Sequence, residues 1–139
     1  MPVRQLRDDG NATVQTALIV PVLVTLLLFV VMCGRLVETR LRVDAVSQDA
    51  AREASLARTP QTAEAAARRA AAEQLGRGGT TCASYTVSVD TARFRPGGSV
   101  TVSVKCQAAV GDLTGLSLPG HVGIGSTSIS AVDPYRGAS

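Results

Sequence analysis

The chain has 139 residues, a net charge of +3, one histidine and three cysteines. That length allows one domain of ordinary size at most, and with only two Tyr, two Phe and no Trp the packing falls to Ala, Val and Leu. The basic residues, all arginine except Lys105, are scattered and not interleaved with aromatics, which argues against a nucleic-acid surface.

The chain begins with a hydrophilic leader, residues 1–10, in which Arg4 and Arg7 balance Asp8 and Asp9. From Gly10 to Gly34 there is no charge, and the next charged residue is Arg35. As a helix, Ala12 to Gly34 would span about 34 Å at ~1.5 Å per residue, enough to cross a hydrocarbon core. A secretory signal fits less well, because its apolar region is shorter and a small-residue cleavage site should follow closely. Residues 11–34 are therefore read as a retained transmembrane helix. Pro21 frees the carbonyl of Ala17, a defect that membrane helices tolerate and that marks a bend. The positive charges flanking the span nearly balance, Arg4 and Arg7 against Arg35, Arg40 and Arg42, so they do not set its orientation.

A leader ending in Gly10, small residues, a polar residue at position 15 and then ALIVPVL with its proline resemble the N-terminus of TadE-like pseudopilins of the tight-adherence (Flp) pilus system. The resemblance implies that a prepilin peptidase cuts after Gly10, that Asn11 becomes the new N-terminus, and that the apolar helix is kept. It implies a single-pass protein of the cell membrane with its C-terminal part extracytoplasmic. The implied partners are the peptidase, other pilin-like subunits, the inner pilus assembly platform and membrane lipid, with no nucleic acid. In the family a glutamate stands five residues after the cut and is thought to pair with the amino terminus of a neighbouring subunit. Here that residue is Gln15, which accepts a hydrogen bond but brings no charge. Gln15 and Pro21 are thus the candidate residues for assembly through the membrane helix.

Beyond Gly34, Leu36, Val43, Val46, Ala50, Ala54 and Ala57 trace one helical face, and Glu38 with Arg42 makes a supporting pair. One helix from about Ala12 to Arg58 is expected; the other reading breaks it near Gly34. Thr59–Pro60 suits the start of a second, Ala-rich helix running to Leu75 and ended by Gly76, with Glu64–Arg68 and Arg69–Glu73 at pairing distance. That helix packs on the first or offers a face to a partner. After Thr80 the period becomes two. SYTVSVD and SVTVSVKC form a hairpin around FRPGGS, with Tyr85, Val87 and Val89 on the buried face of its first strand. A turn centred near Pro96–Gly97 would set Tyr85 opposite Val102 and bring Cys82 close to Cys106. Those cysteines form a disulfide, which requires an oxidising compartment and so places this part outside the cell, or they are two separate buried thiols. GDLTGLSLPGHVGIGS reads as loop, its GHVGIGS as a turn rather than a phosphate-binding loop, and STSISAVDPYR as a possible third strand. The fold class is α+β and pilin-like: a transmembrane helix continuing into a long amphipathic helix, a second helix, and an antiparallel sheet of two to three strands. Residues 35–139 make the extracytoplasmic domain.

No catalytic constellation, metal-ligand spacing or cofactor motif is legible. His121 has no carboxylate or nucleophile beside it in sequence, Asp90, Asp112 and Asp133 fall where turns use carboxylates, and Cys33 lies in the apolar run as a small packing residue. Two functional classes remain: a processed pilin-like component that helps build or prime a pilus, and an unprocessed membrane-anchored module that binds something outside the cell.

Overall fold

The computed structural model describes residues 9–77 and 82–135, with side chains from Val14 onward. The leader up to Asp8 and the glycine joint after Arg77 lie outside the described residues. Three helices and three strands follow one another: α1 (Asp9–Leu56), α2 (Pro60–Arg77), β1 (Cys82–Asp90), β2 (Ser99–Ala109), α3 (Val110–Thr114) and β3 (His121–Ala131).

α1 is one helix of 48 residues, unbroken through both Pro21 and Gly34. At ~1.5 Å per residue it is about 72 Å long. Its two halves differ completely in burial. Every described side chain from Val14 to Val31 is exposed, whereas Val43, Val46, Ala50, Ala51 and Ala54 are buried at the expected 3.6-residue period. Leu36 and Ala57 close the ends of this face and are partly buried against the core. The expected pair forms, Arg42 Nη2 donating to Glu38 Oε1 at 2.8 Å.

α2 opens with a reciprocal cap. The Thr62 N–H donates to Thr59 Oγ1 at 3.2 Å and the Thr59 N–H to Thr62 Oγ1 at 3.1 Å, so a threonine does what a glutamate does in the usual capping box. Pro60 stands at the first helical position, where its missing N–H is not needed. Gly76 does not end the helix, which runs one residue further to Arg77. Arg68 Nη2 donates to Glu64 Oε1 at 2.7 Å, but among the described residues Arg69 and Glu73 do not pair with each other, in keeping with the weaker acid-after-base order. Ala63, Ala67, Ala71 and Leu75, all buried, form a strict four-residue stripe against α1. The only bulky member is Leu75, so the helix backbones can approach closely. Across the seam Gln74 Nε2 donates to Asp49 Oδ2 at 2.7 Å.

The sheet is an antiparallel meander in the order β1-β2-β3. β2 is its centre. Val100, Val102, Val104, Cys106 and Ala108 are all fully buried beneath the helices. α1 lies over β2 and β3, and α2 touches β1 only lightly. This explains Tyr85, which shares the inward face of β1 but is 44% exposed: the helical layer does not extend over it.

The hairpin register differs from the expected one. Val89, not Tyr85, faces Val102, and Tyr85 faces Cys106. The slip is four residues, an even number, so the same side chains stay on the inner face. The connection occupies residues 91–98, and the midpoint of the ladder falls between Arg95 and Pro96, whereas a Tyr85–Val102 pairing would need it between Arg93 and Phe94. The Asp90 carboxylate accepts the Ala92 N–H at 2.9 Å, and the Ser99 N–H donates to the Arg93 carbonyl at 3.1 Å. Gly98 is obligatory there, since a Cβ would lie 2.0 Å from the Arg93 carbonyl oxygen. β2 also runs three residues past Cys106, to Ala109.

Cys82 and Cys106 are joined in a disulfide with Cα atoms 5.4 Å apart. Cys82 faces Ala108 in the ladder, and an irregularity between Cys82 and Ser84 leaves Ala83 unpaired beside the bridge. The third strand is present and longer than expected. GHVGIGS is not a turn: from His121 onward it forms the first half of β3. Its inward residues are Val122, Ile124, Ser126, Ser128 and Ser130, and in its first half the outward Gly123 and Gly125 carry no side chain that would mark it as a strand by composition. The segment before it contains the one-turn α3, where only loop was expected.

Two measurements follow. Ala67→Leu should lower stability by about 1–3 kcal/mol, because the α1–α2 seam has no room for three more carbons, while Ala72→Leu on the exposed side of α2 should change it little; thermal unfolding of the two variants in detergent compares them. Opening the disulfide with Cys82→Ser/Cys106→Ser should remove about 3–4 kcal/mol by the chain-entropy argument, read as a lower urea midpoint for the double variant than for the oxidised chain.

Candidate functional site

The candidate site is α1 itself. The backbone of Gly10 and Asn11, the expected processing residues, lies in its first turn. Gln15 and Pro21 follow within the next three turns, both exposed. The structure brings none of the four near the folded domain. They form a linear feature along one helix, well separated from the Cys82–Cys106 bridge.

From Val14 to Val31 the helix presents Val, Leu, Ile and Phe on all sides. Among the described residues it is the one helix long and apolar enough to cross a membrane. At Pro21 the surface is notched. A shallow apolar groove runs along Pro21, Val22, Thr25, Leu26 and Phe29. Thr25, the polar residue in the groove, is turned inward: its hydroxyl donates to the Pro21 carbonyl at 2.8 Å. The groove therefore offers apolar shape rather than hydrogen bonds, the kind of surface that another helix or lipid chains would fill. Cys33, near the end of the run, is a free thiol, half-buried.

Where α1 leaves the apolar run, the domain takes hold of it. Arg35 Nη1 donates to the Asp112 carbonyl at 3.0 Å, joining the helix to α3. Higher up, a polar cluster joins α1 to β3. The Ser47 hydroxyl, fully buried, lies 2.8 Å from the Asp44 carbonyl, 3.1 Å from Ser126 Oγ and 2.7 Å from Ser128 Oγ. Ser126 in turn donates to Asp44 Oδ1 at 2.5 Å. Every hydroxyl can be satisfied at once if Ser128 donates to Ser47 and Ser47 to the Asp44 carbonyl. The cluster joins α1 to β3 as a polar fastener. Sequence reading missed it. The available signals were a serine on the apolar face of α1, one turn after Val43, and the serines two apart in STSIS.

Asp90 bonds the turn after β1, and Asp133 accepts the Tyr135 N–H at 2.8 Å in the same way. His121 is exposed at the start of β3. Among the described residues no group of three or more His, Cys, Asp or Glu could hold a metal ion.

Residues 10–52 match the family model of TadE-like proteins. This segment is TadE-like. The match starts at the glycine, takes in the whole apolar run, and continues through Val43, Val46 and Ala50, so it also covers most of the face of α1 on which the sheet sits. A TadE-like segment fits a component associated with a tight-adherence pilus, and its helix is suited to hold the chain in a membrane. No curated protein and no solved structure matches the chain.

The fastener makes its own prediction. Ser126→Ala removes the donor to Asp44 from a half-buried site and should destabilise the domain by about 1–3 kcal/mol. Chemical denaturation monitors it; Ser88→Ala, exposed on the outer face of β1, is the neutral comparison.

Proposed function

We propose that the protein is a pilin-like assembly component of a tight-adherence pilus machine, cut after Gly10 by a prepilin peptidase and held in the membrane by α1, with the sheet domain outside the cell. The observation that carries this reading is the coincidence of the TadE-like match with the processing glycine, the uncharged run and the notch at Pro21, all on one continuous helix. The Cys82–Cys106 bridge supports the outward orientation, because a disulfide persists in an oxidising compartment. The reading assigns the chain no catalytic step. It works by presenting its helix to other pilin-like subunits and to the assembly platform.

Gln15 refines the role. A repeating subunit that docks by pairing a carboxylate with a neighbour's ammonium would lose that pair at every step with a neutral side chain here. A first subunit has no preceding neighbour to engage, and a neutral amide costs less to hold in lipid than a carboxylate. The chain thus suits the initiation of a filament better than its bulk.

Co-expression with a cognate prepilin peptidase should give a mature chain beginning at Asn11, seen by N-terminal sequencing, and a bulky residue in place of Gly10 should block the cut. A native membrane form that still begins at Met1 or Pro2 would refute processing and leave the unprocessed membrane-anchored binding module as the reading. Immunoblots of sheared pili against membranes test the initiator role. The protein should remain with the membranes, and Gln15→Glu should leave that distribution unchanged or move part of it into the filaments. Abundant native protein throughout sheared pili would exclude the role.

A further inference from the structure

The end of the domain nearest the apolar run carries two leucines that the fold leaves uncovered. Leu116 and Leu118, in the loop between α3 and β3, are 50% and 49% exposed. They lie in a stretch from Leu113 to Val132 without a single Asp, Glu, Lys or Arg.

Two independent measures put this loop at the level where α1 emerges from the apolar run. The first is contact. Arg35, the first charged residue after the run, reaches the Asp112 carbonyl. Side chains on a helix lean toward its N-terminus, so that carbonyl lies level with Arg35 or on the side of the apolar run. Met32 and Cys33 are the first side chains along α1 that are not open, one turn before Leu36, which packs on the core that includes Leu113. The second measure is length. From Arg35 to Ser47 the helix rises about 18 Å at ~1.5 Å per residue. From His121 to its contacts at Ser126 and Ser128, β3 advances about 17–23 Å at ~3.3 Å per residue. β3 therefore climbs alongside α1, and its start, with the loop that feeds it, stands level with Arg35.

The loop is also fixed in shape. The Leu118 N–H donates to the Leu116 carbonyl at 2.7 Å, the Leu116 N–H to Thr114 Oγ1 at 3.2 Å, and the Val110 N–H to the Gly120 carbonyl at 3.0 Å. It folds back directly on α3: a Cβ on Gly111 would lie 2.9 Å from the Leu116 carbonyl oxygen. Much of its backbone is thus bonded within the loop and to α3, which lowers the penalty for bringing it into the headgroup region.

We propose that the loop at residues 115–120 is a membrane foot. Leu116 and Leu118 enter the boundary between headgroups and acyl chains beside α1 and hold the domain to the bilayer on its α3 side. The occupant is lipid rather than protein because α1 already keeps a bilayer at this height, and because the loop offers two aliphatic side chains and no charge with which to select a protein partner. The proposal rests on α1 spanning the membrane.

The native chain has no tryptophan, so single substitutions give unambiguous probes. Leu118→Trp, Phe29→Trp and Ile129→Trp are each made in the full chain, placed in bilayers at one chain per nanodisc, and read with lipids brominated at shallow or deep acyl positions. Phe29 marks the span, and Ile129 marks the exposed far half of β3. The expected result is strong quenching for Phe29→Trp, about twofold loss of a blue-shifted emission for Leu118→Trp with the shallow bromines, as suits a side chain at interfacial depth, and no quenching for Ile129→Trp. Quenching of Phe29→Trp together with a water-like emission from Leu118→Trp would overturn the foot while leaving the span intact. A blue-shifted but unquenched Leu118→Trp would also overturn it, showing that protein rather than lipid covers the loop. Failure of both Phe29→Trp and Leu118→Trp to quench would remove the span and the foot together.

Discussion

α1 satisfies two environments with one unbroken backbone, and the rest of the structure depends on that continuity. From Val14 to Val31 its side chains are mostly apolar on every side, as a membrane-spanning segment would need; beyond Arg35 they are apolar along one stripe only, as a small water-soluble core requires. Because the helix does not break at Gly34, the sheet is mounted on the same rod as the apolar segment. The position of the domain relative to that segment is then set by rigid geometry rather than by a linker.

A core built this way has little bulk. Its fully buried side chains are valines, alanines, a half-cystine and one serine, with no aromatic among them. Two devices compensate. Alanine at every fourth position lets α2 come close to α1, so that small side chains still pack densely. The Cys82–Cys106 bridge shortens the unfolded chain's freedom and ties edge strand β1, the strand least covered by helix, to the central one. Phe94 and Tyr85, at the margins of the core, contribute only partly buried surface.

Polar contacts settle what valine and alanine cannot. Small apolar side chains slide past one another at little cost, so a helix on a sheet of valines is poorly specified along its axis. The Asp44–Ser47–Ser126–Ser128 cluster fixes α1 against β3, and the Arg35–Asp112 contact fixes it against α3, at two heights. Buried hydroxyls without partners are penalised, so a shifted register would lose more than packing. Both contacts fall within or beside the TadE-like segment on the α1 side, while their partners on β3 and α3 lie outside it.

Much of this was legible in the sequence. The uncharged run and the spacing of Val43, Val46, Ala50 and Ala54 determine a membrane-length helix with an amphipathic extension, because helical periodicity is a local property of the chain. The alternation of SYTVSVD and SVTVSVKC determines two strands and their inner faces, and survives even a four-residue error in register, since side-chain direction depends only on parity. The roles proposed for Gly10 and Gln15 likewise come from the sequence. Tertiary structure decided the remainder. The hairpin register depends on how residues 91–98 close around Gly98, which turn propensities at Pro96–Gly97 did not reveal. GHVGIGS is a strand only because β2 offers it a free edge, as its glycines have no preference of their own. The serine cluster and the level of the Leu116–Leu118 loop arise from residues about eighty positions apart, brought together by packing α1 on β3, and no local pattern in either segment specifies that meeting.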